Sequence, residues 1–91
     1  MMIIKLDKDY EFNGASMDDL CNIEDELGCS ISGLPERLQE KQLSTIRSIL
    51  YALLKDRYPV TKKAIGKSLT VENLKTLADQ ILEILKDAIN G

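Results

Sequence analysis

Ninety-one residues with a formal net charge of −3 leave room for one small domain with a single core and no second one. The chain has no histidine, which removes the commonest general base and transition-metal ligand. Nothing in it approaches the ~20 consecutive apolar residues of a membrane span. The opening MMIIKLDKDYEF has neither a basic start nor a long apolar run, so it does not read as a secretory signal, and the protein is expected in the cytoplasm.

Charge is unevenly distributed. Residues 1–33 hold eight acids and two bases, residues 34–68 three acids and eight bases, and residues 69–91 four acids and two bases. Such asymmetry steers partner association, or lets the two poles face each other within the fold. Cys21 and Cys29 are eight residues apart, which fits neither a zinc pair nor a redox CxxC, so they are expected to be free thiols acting as small apolar residues.

In chain order, an apolar MIIKL and a Tyr10-Glu11-Phe12 segment flank the polar Asp7-Lys8-Asp9, and the pattern predicts a short hairpin of roughly 2–6 and 10–13. Two strands alone are marginal in water, so the hairpin must lie on helices or join a neighbouring chain. Ser16 is a good N-cap for a helix over 17–27. Asp18 and Asp19 fall in its first turn, and Leu20, Ile23 and Leu27, with Met17 and Cys21 beside them, share one face. Gly28 suits a left-handed stop. The acids Glu24, Asp25 and Glu26 point in different directions on that helix and read as a solvated face, not a paired acid–base site.

Ser32-Gly33 marks a turn, and Pro35 opens a short helix over about 35–40. The next helix, over 44–57, places Leu43, Ile46, Ile49, Leu50, Leu53 and Leu54 within an arc of about 140°. Pro59 ends it. Thr61 caps a short helix through TKKAIGKSL, and Thr70 caps the last one. In that final helix Leu74, Leu77, Ala78, Ile81, Leu82, Ile84, Leu85, Ala88 and Ile89 span about 160°, a stripe wide enough for two neighbours, or for one neighbour and a partner protein. The expected fold class is mainly α: one compact domain over residues 1–91, with three main helices, two short ones and a short N-terminal hairpin.

Three function classes follow. A helix-turn-helix reader would use Lys62, Lys63 and Lys67 on phosphates, but its second helix is too broadly apolar to lie in a groove, and it carries Glu72, Asp79 and Glu83. An enzyme has no constellation to support it, with no catalytic residue, metal site or cofactor loop in view. The third class is a helical adaptor. Arg47, Tyr51 and Tyr58 would form one partner-binding surface, and Leu82 and Ile84, at the edges of the last helix, another. A core this small also leaves oligomerisation as a supplement to stability.

The segments LCNIEDELGCSI, LYALLKDRYPVTKKAIGKSL and ENLKTLADQILEIL, with Glu24, Gly28, Pro59 and Gly66 at their turns, resemble the tail assembly chaperones of long-tailed bacteriophages and gene transfer agents. The resemblance covers about residues 10–90. It implies a non-enzymatic phage or prophage protein that binds the tape measure protein in the host cytoplasm and keeps it soluble while tail tube subunits assemble. A generic bacterial helical interaction or regulatory module is the alternative.

Overall fold

The computed structural model describes residues 2–40 and 43–90. Strands β1 (Met2–Lys5) and β2 (Asp9–Phe12) form an antiparallel hairpin, followed by helices α1 (Met17–Leu27), α2 (Leu34–Gln39), α3 (Leu43–Leu54), α4 (Lys62–Ser68) and α5 (Val71–Asn90). A 3-10 turn at Ile31–Gly33, where the sequence marks a turn at Ser32-Gly33, leads into α2. No helix among the described residues is long and apolar enough to cross a membrane.

α3 is the central element. Ile46, Ile49, Leu50, Ala52, Leu53 and Leu54 are all buried, and α1, α2, α4 and α5 pack around them. Its expected extension to residue 57 does not form: the helix ends at Leu54, and Lys55–Tyr58 make a turn. Pro59 drives Tyr58 out of helical geometry. Both Arg57 and Tyr58 N–H groups converge on the Leu54 carbonyl, which closes the last turn. Tyr58 therefore lies beyond the helix and does not share a helical face with Tyr51.

The caps form where the sequence places them. Ser16 Oγ accepts from Asp19 N–H at 3.2 Å, and Ser16 N–H donates to Asp19 Oδ2 at 2.8 Å, a reciprocal capping box. Gly28, at φ 65°, ends α1 in the left-handed region and donates to Glu24 O. Thr61 Oγ1 accepts from Ala64 N–H at 3.1 Å. Thr70 and Asn73 cap each other reciprocally, and Asn73 Nδ2 donates to Ser68 O, which fixes α5 to the end of α4.

The hairpin is held from both edges. Ile4, Tyr10 and Phe12 are buried against the helices. Ile3 and Glu11 sit opposite each other in the ladder. Gln80 Nε2, on α5, donates to Ile3 O at 2.8 Å, and Tyr58 Oη donates to Glu11 O at 2.7 Å. Their carbonyls thus point outward, which makes this the non-hydrogen-bonded pair between the bonded pairs Met2–Phe12 and Ile4–Tyr10. One clasp on each edge is how a two-stranded sheet, marginal alone, is retained. The Tyr58 ring also meets Tyr10 edge-on at 5.0 Å. Tyr58→Phe keeps the ring and loses the clasp. It is expected to destabilise by about 1 kcal/mol and to speed amide exchange at Ile4 and Tyr10 while leaving α3 unchanged, as hydrogen exchange read by NMR would show.

The two charged poles meet inside the fold. Arg57 binds Asp19 through two bonds, Nη1 to Oδ1 at 3.0 Å and Nη2 to Oδ2 at 2.8 Å. Arg57 Nη1 also donates to Leu53 O at 2.7 Å, and the guanidinium lies 4.5 Å from the Phe12 ring centre. Lys62 pairs with Glu26, and Glu24 accepts from Ile31 N–H. The acidic run of α1 is therefore partly employed in holding the chain together.

Candidate functional site

The five residues singled out for partner binding do not gather into one surface. Ile84 is 4% exposed and belongs to the core; the adjacent Leu82 is half-buried and packs on that core. The wide stripe of α5 is covered within the monomer by α2 and α3, and Gln80 reaches the hairpin from the same helix. Its exposed apolar side chains, Val71 and Ile89, sit at opposite ends of the helix and form no patch. Among the described residues the middle of α5 therefore offers no exposed apolar patch for docking. Tyr58 is taken up by the hairpin clasp. Tyr51 is half-buried, with the ammonium groups of Lys55 and Lys62 5.7 and 5.5 Å from its ring centre. Met17 and Cys21, expected beside the apolar face of α1, are exposed, whereas Cys29 packs against the core; both thiols are free.

Arg47 is placed differently. It lies in a cleft of about 440 Å³ between the first half of α3 and α4, lined by Leu43 and Ser44 from α3 and by Lys63, Gly66, Lys67 and Leu69 from α4 and its end. α4 turns Ile65 into the core, which leaves the opposite side of this short helix, with Lys63 and Lys67 one turn apart, for the cleft. Gly66 allows the walls to approach. A Cβ there would stand 3.2 Å from Arg47 Cδ, so the arginine stem lies directly on the α4 backbone.

The electrostatics of the cleft are one-sided. Arg47, Lys63 and Lys67 line it, and no carboxylate does. Among the described residues the ion pairs are Arg57–Asp19 and Lys62–Glu26, so none of the three cations has a carboxylate partner. Arg47 Nε is buried without a hydrogen-bond partner. A buried N–H left without an acceptor is costly. Leu43 is 53% exposed, although the sequence assigns it to the buried arc; it stands at the very start of α3. With Leu69 it gives the cleft an apolar wall.

Two further depressions are less suited to a ligand. The groove between β1 and α5, about 470 Å³, is crossed by the Gln80–Ile3 bond, and its one lysine, Lys5, is offset in charge by Glu72. A smaller hollow of about 170 Å³ lies over Phe12 and Ile84. No cluster of three or more His, Cys, Asp or Glu side chains among the described residues could hold a metal ion.

Sequence reasoning reached Arg47 but not its surroundings. The usable signal was the i, i+4 pair Lys63 and Lys67 with a glycine between them, on the face opposite Ile65. What it could not show is that Lys62, one residue away, is taken by Glu26. Compared with known proteins, the chain matches no protein-family model, no curated protein and no solved structure.

Proposed function

We propose that this chain is a non-enzymatic helical adaptor that holds a segment of another protein in the cleft between α3 and α4. The observation that carries the reading is the cleft itself: three cations without a carboxylate partner among the described residues, beside the exposed Leu43 and the half-buried Leu69. Arginine is enriched in binding hot spots. The DNA-reader alternative is weakened by the same geometry. Lys62 is engaged with Glu26, and α5, which would be the reading helix, turns Leu77, Ala78, Ile81, Ile84 and Leu85 into the core and leaves Glu72, Asp79 and Glu83 outward.

In the form that the sequence resemblance implies, the partner is a tape measure protein and the chain is a phage or prophage tail assembly chaperone. A long helical protein exposes apolar stripes until tube subunits enclose it, and an adaptor with an apolar cleft keeps such a stripe from aggregating. Co-expression with the tape measure protein encoded in the same genome tests this. The expected result is a soluble, co-eluting complex that is lost with the double substitution K63E/K67E. A tape measure protein that stays insoluble and uncomplexed would contradict the chaperone role.

A further inference from the structure

We infer that the α3–α4 cleft selects an acidic amphipathic helix of a partner protein, one that sets an apolar side chain against Leu43 and Leu69 and places carboxylates on Arg47, Lys63 and Lys67. This rests on the adaptor reading and specifies its ligand. The argument begins with charge. The cleft collects three cations in a protein of net charge −3, and no acid lines it. Two of the chain's acids, Asp19 and Glu26, pair with Arg57 and Lys62 and not with the cleft. Like charges gathered without partners repel one another, and a ligand carboxylate removes that repulsion as it binds.

Spacing gives the ligand its form. Lys63 and Lys67 are four residues apart on a helix, so they repeat at about 6 Å along α4. A helix lying along α4 with two acids one turn apart meets both with the same rise. Arg47 stands on the other wall, and its guanidinium is the planar cation that carboxylates pair with best. Between those charged points Leu43 and Leu69 form an apolar strip, so an apolar side chain flanked by acids matches the sequence of surfaces it would cross. A nucleic acid would satisfy the cations, but its backbone has nothing to lay on the two leucines.

Fluorescence anisotropy with the whole chain tests the inference. The probe is a labelled helical peptide of about 20 residues, with a leucine stripe flanked by glutamates one turn apart. A matched peptide carrying glutamine in their place and a labelled duplex DNA serve as comparisons. The glutamate peptide is expected to bind about tenfold or more tightly than the glutamine peptide, to weaken as salt rises, and to lose binding with K63E/K67E. Lys63 and Lys67 are exposed, so that variant keeps the fold, and circular dichroism checks it. Equal binding of the two peptides would overturn the selection for acids and leave the adaptor reading standing. Binding of the duplex alone would overturn both. If neither probe binds, the inference falls, and the co-expression complex then decides the adaptor reading separately. Self-association abolished by K63E/K67E would assign the cleft to the acidic α1 of a second copy and overturn a foreign partner.

Discussion

Arg57→Ala is expected to destabilise the protein by about 3 kcal/mol near neutral pH, more than Asp19→Asn, which is expected to cost about 1–2 kcal/mol. The two substitutions remove the same ion pair but leave different remnants. Asp19 is only 4% exposed in its side chain, so without Arg57 a carboxylate is stranded in the interior. Arg57 is 32% exposed, so without the charge of Asp19 its guanidinium turns to water at a smaller penalty. Arg57→Ala also uncovers the Phe12 ring and frees the Leu53 carbonyl.

The same pair predicts the acid limb of stability. Burial by itself would raise the Asp19 pKa. The hydrogen bonds from Arg57 and from the Ser16 backbone, the Arg57 charge and the Ser16 hydroxyl outweigh it and hold the carboxyl below the ordinary aspartate value of 3.8. A folded-state pKa below the unfolded one stabilises above the unfolded value, and that stabilisation is lost as pH falls through the folded one. The gap between the native chain and Arg57→Ala should therefore be full at pH 7 and narrow below about pH 4. Urea unfolding at both pH values reads this directly. A gap that is constant with pH would show that Arg57 acts by packing alone.

Ile84→Ala is expected to destabilise by about 3 kcal/mol, and Leu82→Ala by about 1 kcal/mol. Ile84 is 4% exposed and borders the hollow over Phe12, so truncation enlarges a cavity that the short hairpin cannot collapse to fill. Leu82 is half-buried and loses fewer contacts. In a domain of this size each kcal/mol moves Tm by roughly 4–8 °C, so thermal unfolding separates the two. If Ile84→Ala left Tm unchanged yet weakened partner binding, the residue would be at the surface after all.

These two results mark where the sequence was readable. Local devices were legible: the Ser16, Thr61 and Thr70 caps, the stop at Gly28, the break at Pro59, and the twenty-residue span of α5 all depend on neighbours a few residues apart. The clasps were not. Arg57 meets Asp19 across 38 positions and Gln80 meets Ile3 across 77, and no periodicity encodes a pairing at that range. Asp18 and Asp19 look equivalent as first-turn acids, yet only one is buried. The width of the α5 stripe was correct as geometry but silent on its occupant. α3 and the six-residue α2, with the hairpin tied on through Gln80, take up the space that a partner was expected to fill.

The candidate site was half legible for the same reason. Three lysines in a run of six residues look alike in sequence, and the fold divides them, Lys62 to Glu26 and the other two to the cleft. Arg47 stands out only when α4 crosses α3 at Gly66 and buries its stem.

Backbone amide shift mapping is the most direct test of the cleft. The isotope-labelled chain is titrated with the glutamate-bearing helical peptide while its amide spectrum is recorded. The largest changes should fall on Ser44, Arg47, Lys63, Gly66, Lys67 and Leu69, with α1 and the outer face of α5 unmoved. Changes centred on the acids of α1, or along Glu72, Asp79 and Glu83, would contradict the assignment of binding to the space between α3 and α4.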